Sequence, residues 1–302
     1  MASTDQSTQL SIVVVSTLPW PALRGCLEHV SPQAQRLGAE FIVVMPDRRG
    51  LPDDAYPDVV RVVEPGGSLL HLRARGFAQA RGAIIAMTED HCHPHPTWCE
   101  AILRSHADHP SAPVIIGRVE NTARGGVGDW ATYLLGNGAF MAPLNAGIYQ
   151  GAISSANASF KRASLPATFP RYGWSGAWHA DWLRQRGERV LLDPRPAVDH
   201  HLPIGLGSAC ALFYQVGRCE RGLEQSGEQR VHWSRVLEAV RAGLASPLAG
   251  VRTGLRVAVR KGRDRAWAVG SIPAVALLAA CHNAGALVGL LAGPGDAPHR
   301  LY

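Results

Sequence analysis

Short hydrophobic runs alternate with longer amphipathic stretches along the first 120 residues. The runs have strand length, and most are rich in β-branched side chains; they cover residues 10–16, 41–45, 59–63, 83–87 and 113–117. The stretches between them carry apolar residues at helical spacing and cover residues 22–37, 69–81 and 96–107. Strands that alternate with helices predict a doubly wound α/β sheet whose strands are mostly parallel.

The pattern changes after Glu120. Residues 121–128 have the composition of a flexible linker, and the chain up to position 151 shows weak periodicity. Beyond it we predict a strand of small residues and a basic helix start within 152–165, a helix at 174–187, and two short strands at 190–192 and 197–198. We therefore divide the chain into residues 1–122 and 123–205, which form two halves of one domain, and a C-terminal helical region at 206–302.

The C-terminal region contains a long stretch without charge. Residues 232–244 show helical spacing, and no Asp, Glu, Lys or Arg occurs from 266 to 294. That length suffices to span a bilayer, but Pro273, His282 and Asn283 interrupt it, so two interfacial helices and an ordinary packed helix pair stay open. Gly285 and Gly289 have the spacing of a helix-dimerisation motif, which makes a homodimer one option.

Charge is concentrated just before this apolar stretch. The 302-residue chain has a formal charge of +6, and residues 229–265 hold nine Lys or Arg against Glu238 and Asp264. The basic cluster abuts an apolar segment rather than interleaved stacking aromatics, so nucleic acid is disfavoured and an anionic membrane surface is predicted. The six cysteines have no framework spacing, and the N-terminus has no signal-peptide pattern. We predict a location at the cytoplasmic face of the cell membrane.

Two carboxylates and an imidazole follow the fourth predicted strand directly, as Glu89, Asp90 and His91. Ligands of open α/β sheets bind beyond the carboxyl ends of the strands, and hard oxygens with an imidazole suit Mn²⁺ or Mg²⁺. One alternative is an acidic turn with no ligand. A zinc site is another, because several ligand-type side chains crowd here without the spacing of a zinc finger: His91, Cys92, His93, His95 and Cys99.

Asp181 is the only carboxylate between Asp129 and Glu188. If the second half supplies a general base, Asp181 and His179 are nearly the only candidates. The alternative is that Asp181 is a solvated helix residue, while Trp178 and Trp182, four positions apart, form the buried stripe.

These features together resemble the bacterial family-2 glycosyltransferases, whose nucleotide-sugar-binding fold is called GT-A. The likeness spans about residues 10 to 205. It rests on the first-strand run Ser11 to Ser16, the helix from Leu72 to Gly82, and the motif Glu89-Asp90-His91 followed by Pro94, Pro96 and Trp98.

The resemblance implies a role for each matching residue. Asp90 and His91, with His200 or His201 from the end of the last strand, would bind the metal. Basic groups would neutralise the departing nucleoside diphosphate, and Asp181 would activate the acceptor hydroxyl, with inversion at the anomeric carbon. The implied donor-binding residues are Ser16, Asp47, Arg73, Arg75, Glu89 and Asp90.

The implied activity is transfer of a sugar from a UDP-, GDP- or dTDP-linked donor to a glycan or lipid-linked acceptor, with Mn²⁺ or Mg²⁺ as cofactor. Histidine stands at position 91 where the family has aspartate, and the usual acidic pair near Asp181 is missing. A non-catalytic nucleotide-sugar-binding or scaffold protein is therefore an alternative. A nucleotidyltransferase of the same fold is disfavoured, because the chain has no N-terminal glycine-rich phosphate loop with a lysine.

Overall fold

The computed structural model describes residues 9–47, 52, 56–123, 126–225, 237, 240–241, 251–252, 255 and 265–301. The chain divides into two compact units. One comprises Met1–Glu120 and Leu144–His200, and the other comprises Asn121–Pro143 and His201–Tyr302. Residues 123–143, which we assigned to the second half of the sheet domain, are thus in the same unit as the C-terminal region.

The first unit is built on one mixed sheet. Its strands are β1 (Leu10–Val15), β2 (Glu40–Met45), β3 (Val59–Val63), β4 (Ile84–Glu89), β5 (Cys92–Pro94), β6 (Val114–Asn121), β7 (Gly147–Tyr149), β8 (Ala158–Lys161) and β9 (Val190–His200). Their order is β3-β2-β1-β4-β8-β6-β9-β5, with β7 beside β9. Strands β1 to β4 are parallel, and β8 runs antiparallel to β4 and β6. The predicted mixed, largely parallel sheet is confirmed.

The helices are α1 (Trp20–Leu37), α2 (Leu69–Gln79), α3 (Trp98–Asp108), α4 (Val127–Gly136), α5 (Gly176–Gln185), α6 (Leu206–Gln225), α7 (Arg265–Gly270) and α8 (Ile272–Ala292). Local signals set several of their ends. The side chains of Ser68 and Ser175 accept hydrogen bonds from the first turns of α2 and α5. Gly38 ends α1 in the left-handed conformation, with φ of 59°.

Three elements differ from the predictions. Helix α4 begins at the end of the predicted linker and continues into the segment where we predicted no helix. Trp130, Tyr133 and Leu134 are all buried, so its apolar positions surround the helix and leave no periodic signal. The two short strands predicted at 190–192 and 197–198 are parts of one continuous strand, β9, which includes Pro194 and Pro196. The predicted helix after β8 is a single 3₁₀ turn, Arg162–Ser164.

The second unit contains a close helix pair, α6 and α8. A Cβ atom added at Gly217 of α6 would lie 1.9 Å from the carbonyl oxygen of His282, and one added at Gly285 of α8 would lie 1.9 Å from that of Tyr214. A Cβ atom at Gly289 would likewise meet α6, 2.4 Å from the Arg218 carbonyl oxygen. The Gly285–Gly289 spacing is therefore used within the chain.

Helix α8 is the one described helix long and apolar enough to cross a membrane, a property that buried core helices share. The predicted helix at 232–244 lies almost entirely outside the described residues. So do Arg256, Arg260, Lys261 and Arg263 of the basic segment.

Candidate functional site

The carboxyl ends of the parallel strands bring three predicted site residues to one edge of the sheet. The register of β1 with β4 pairs Val15 with Glu89. Ser16 follows β1, is buried, and donates its backbone N–H to the Val44 carbonyl at 2.9 Å. Asp47 follows β2 and is half-buried. This edge is where an open α/β sheet binds its ligand.

Glu89 is a buried, charged carboxylate. Its Oε1 accepts hydrogen bonds from Arg73 Nη2 at 2.5 Å and from Ser155 Oγ at 2.8 Å. Burial alone would raise the pKa of Glu89, but the positive charges of Arg73 and His91 and these two hydrogen bonds outweigh it and lower the pKa to about 2. The site thus holds an anion and a cation side by side at the end of β4.

Asp90 has a different set of contacts from its neighbour Glu89. Its Oδ2 accepts the backbone N–H groups of Thr17 and Leu18 at 2.8 and 2.7 Å, and its Oδ1 lies 3.0 Å from His91 Nδ1. Asp90 therefore holds the segment after β1 and orients the His91 ring. We predicted it as a metal ligand; in this structure both of its oxygens bond to nitrogen atoms of the protein.

His91 faces His200 across the site. Their Nε2 atoms are 3.2 Å apart, and His91 Nε2 is 3.5 Å from Glu89 Oε2. Burial acts to lower the pKa of His91, but the hydrogen bond to Asp90 and the charges of Glu89 and Asp90 raise it. Pairing of β5 with β9 aligns Cys92 with His200 and so brings the two histidines together. His201, the other candidate ligand, is exposed.

The donor set fits a divalent cation only in part. Among the described residues, no group of three or more His, Cys, Asp and Glu side chains is gathered around a common point. The His91 and His200 Nε2 atoms, however, are 3.2 Å apart, and imidazole nitrogens are ligands that Mn²⁺ accepts, so these two residues would hold the cation. Asp90 on the far nitrogen of His91 is the arrangement that orients metal-binding histidines. A ligand such as a diphosphate would have to complete the coordination.

One N–H group of the Arg73 guanidinium is unpaired among the described residues. Its Nη2 binds Glu89, but its buried Nε has no hydrogen-bond partner among the described residues. The guanidinium lies over the ring of Trp174, with 5.7 Å from its carbon to the ring centroid, and Trp174 Nε1 donates to His179 Nδ1 at 2.9 Å. An unpaired buried donor beside a charged site is a feature that an anionic ligand would satisfy.

Trp174 and His179 were not recognised from sequence as parts of this site. His179 was considered only as a base, yet it is fully buried, and burial lowers its pKa to about 4. A neutral imidazole accepts the indole N–H. In the sequence, Trp174 stands just before Ser175, which caps α5. That position alone does not distinguish a tryptophan of the core from one that supports a site.

Two other predicted residues pair with side chains outside this cluster. Arg75 pairs with Glu64 at 2.8 Å, and both side chains are exposed. Asp181 is 57% exposed and pairs with Arg184 at 2.5 Å. Its role as a base stays a prediction.

The side chains considered for zinc do not converge. Cys92 and Cys99 are buried free thiols. His93 stacks on His29 with ring centroids 4.9 Å apart, and His95 bonds to Asp199 at 3.1 Å. Each histidine has its own neighbour, so these residues do not form a zinc site.

A separate cavity of about 190 Å³ lies in the first unit, between α5 and the pair β7 and β9. Tyr149, Gln150, Arg184, Glu188 and Arg189 contribute to its lining. Arg184 therefore contacts both this cavity and Asp181.

Comparison with known proteins supports the fold. The sequence matches no protein-family model and no curated protein sequence. Its structure is similar to the mannosyltransferase PcManGT from Pyrobaculum calidifontis, crystallised with GDP-Man and Mn²⁺, at a TM-score of 0.56 and 17% identity, over 95% of this chain and 88% of that one. It also resembles GalNAc-T7, crystallised with UDP, GalNAc and Mn²⁺, at a TM-score of 0.49 and 14% identity over 66% of this chain.

This chain spans 44% of the GalNAc-T7 chain, and that likeness carries no further argument. The likeness to PcManGT covers nearly the whole of both chains and confirms the GT-A-like fold that the sequence resemblance implied. Membership of the bacterial family 2 is not established by these comparisons.

Proposed function

We propose that the chain is a metal-dependent glycosyltransferase that moves a sugar from a nucleoside-diphosphate donor to an acceptor hydroxyl. The observation that carries the proposal is the His91–His200 pair beside the buried Glu89–Arg73 ion pair, at the carboxyl edge of parallel strands. The Mn²⁺ and nucleotide sugar in PcManGT, which shares the fold, support it.

In this proposal each side chain of the cluster has one task. His91 and His200 would hold Mn²⁺ or Mg²⁺, with Glu89 beside them. The bound cation would supply Lewis-acid stabilisation of the diphosphate. Arg73, with its unpaired Nε–H, would donate to a diphosphate oxygen and offset the charge that develops as the sugar leaves. Asp90 would hold the His91 ring in place.

Acceptor activation is assigned to Asp181 as a prediction from the sequence. A general base contributes typically about 10²- to 10⁴-fold. Inversion at the anomeric carbon, transfer of a hexosyl or related group, and a lipid-linked or envelope-glycan acceptor are further parts of the proposal that rest on the resemblance alone.

A thermal-shift panel of UDP-, GDP- and dTDP-sugars, with and without Mn²⁺, tests the donor and the metal together. We expect one nucleotide class to raise the melting temperature only when Mn²⁺ is present, and we expect slow release of nucleoside diphosphate from that donor in the same mixture. Arg73→Ala should weaken this stabilisation, whereas the exposed Arg75→Ala should leave it unchanged.

A non-catalytic sugar-nucleotide-binding protein is the second candidate, favoured by the solvent exposure of Asp181. This second function would be favoured if nucleotide sugars stabilised the protein in a metal-dependent way but no acceptor led to release of nucleoside diphosphate. No stabilisation by any nucleotide sugar would contradict both.

A further inference from the structure

Helix α8 presents an apolar face to solvent along its whole length. Its exposed residues include Pro273, Leu277, Ala280, Ala284 and Leu291. Steps of three, four and seven residues place them on one side of the helix. Leu277 and Leu291 are 45% and 52% exposed, and at 1.5 Å per residue the row is about 27 Å long.

The short helix α7, which directly precedes α8, also exposes apolar side chains. Trp267 and Val269 are 47% and 45% exposed, and only Ser271 separates α7 from α8. From residue 266 to 294 the chain has no Asp, Glu, Lys or Arg. Isolated exposed apolar side chains are ordinary on soluble proteins, whereas a continuous row of them marks an interaction surface.

The opposite face of α8 packs closely against α6. At Gly285 and Gly289 the two helix backbones approach so closely that a Cβ atom would lie within 2.4 Å of α6 carbonyl oxygens. Glu220 of α6 bonds to His282 at 3.1 Å, and Arg218 Nε donates to the Gly293 carbonyl at 3.4 Å.

This pairing argues against a membrane-spanning α8. A spanning helix would carry α6 into the hydrocarbon, and α6 bears Arg218, Glu220 and Arg221. Charged side chains at that depth are costly, at least about 2.5 kcal/mol each. A helix pair that exposes one apolar face can instead lie in the plane of the membrane surface.

The charge of the segment before α7 indicates what kind of partner this apolar face would bind. Residues 229–265 precede the apolar face and contain nine Lys or Arg against two acidic residues. Of these, Arg241, Arg252 and Arg265 are described and exposed. Basic residues that precede an apolar face in the sequence, together with the exposed Trp267, match the charge and the interfacial zone of an anionic bilayer.

We propose that α7 and α8 form a membrane-docking surface, made by Trp267, Val269, Leu277 and Leu291, that lies flat on an anionic lipid bilayer without crossing it. The surface belongs to the second unit. The inference does not depend on the proposed transfer reaction. The predicted cytoplasmic face of the membrane stays a prediction.

Flotation of the full chain with vesicles tests the proposal. We expect binding to vesicles of equal parts phosphatidylglycerol and phosphatidylcholine, and at least about tenfold weaker binding to pure phosphatidylcholine or at 1 M NaCl. The double substitution Leu277→Glu and Leu291→Glu should reduce binding at least about tenfold. Ile148→Glu, at a 49% exposed apolar residue of the first unit, should leave it unchanged.

Several results would overturn the proposal. One is failure of the wild-type chain to bind the anionic vesicles, which needs no variant and so does not depend on variant folding. Another is protein that alkaline carbonate cannot remove from vesicles, because that would show a spanning helix. A third is a dimer by light scattering that the double substitution converts to monomer while vesicle binding persists, because a second copy would then cover the face. Circular dichroism melting curves of the variants would establish that they fold.

Discussion

The Nε2 atoms of His91 and His200 lie 3.2 Å apart, although 109 positions separate the two residues in the chain. One ring follows β4 and the other ends β9, and the antiparallel pairing of β5 with β9 brings them together. Both side chains are buried. In the proposed function these two imidazole nitrogens would hold the divalent cation.

The first prediction concerns this pair. His91→Ala and His200→Ala should each weaken Mn²⁺ binding by about 100-fold or more, because each removes one nitrogen ligand. Binding is measured from the electron paramagnetic resonance signal of free Mn²⁺. His201→Ala is the matched control, since His201 is adjacent in sequence and exposed. Equal losses for His200→Ala and His201→Ala would contradict the assignment.

The second prediction concerns Asp90, the carboxylate that orients the His91 ring. Asp90→Asn should weaken Mn²⁺ binding about 10- to 100-fold through misorientation of His91. It should also cost about 1–3 kcal/mol of unfolding free energy, since the amide can no longer accept every N–H that Asp90 accepts. Metal titration and urea denaturation measure the two effects. Unchanged Mn²⁺ binding would show that Asp90 does not position His91.

The third prediction tests the base. Asp181→Asn should bind donor and Mn²⁺ like the wild-type chain and lose about 100-fold or more of its transfer rate, because the amide cannot take the acceptor proton. Glu28→Gln is the control: Glu28 is an exposed acid paired with a nearby arginine of its own helix, as Asp181 is. Full transfer activity in the Asp181→Asn variant would show that Asp181 is not the general base.

The fourth prediction concerns the α6–α8 contact. Gly217→Ala should destabilise the protein by about 1–3 kcal/mol, because the new methyl group would meet the His282 carbonyl oxygen. Gly207→Ala on the same helix meets nothing within 4 Å and should change stability by less than about 1 kcal/mol. Thermal unfolding of both variants measures the difference. Similar melting temperatures would indicate that α6 and α8 are not held this closely in solution.

The fifth prediction is a pH dependence. Burial, and then the charge of Lys161, lower the pKa of His106 from its ordinary value of 6.5 to about 4. Between these pH values the unfolded chain therefore binds a proton at His106 that the folded chain does not bind. This histidine therefore lowers the unfolding free energy as the pH falls from 6.5 towards 4, by about 2 kcal/mol at pH 5.

His106→Gln keeps a polar group opposite Ser159 and removes that titration. The variant should thus lose less unfolding free energy than the wild type between pH 7 and pH 5, as urea denaturation at each pH would show. The lowered pKa of His179 acts in the same direction and the raised pKa of His91 in the opposite one, but both are common to the two proteins. Equal losses would show that His106 remains neutral in the unfolded chain or is exposed in the folded one.

Recognition from sequence succeeded where the signal is local. The hydrophobic runs became β1 to β4. Parallel strands place their carboxyl ends at one edge of the sheet, and Ser16 and Glu89 lie at that edge, where the sequence placed them. Helix α4 was missed because it is buried on nearly all sides and has no polar face. Arg73 was selected for its charge, but its supports Trp174 and His179 lie about a hundred positions away.

The sequence by itself determined the alternation of strands and helices, the acidic end of β4 and a charge-free C-terminal stretch, because these depend on composition and on spacing within a few residues. Only the tertiary structure decided that Glu89 and Asp90 have different partners, that His200 faces His91, and which side of α8 meets solvent. Those outcomes depend on strand pairing and helix contacts between distant segments. Adjacent residues of the same type are indistinguishable until such contacts fix the direction of each side chain.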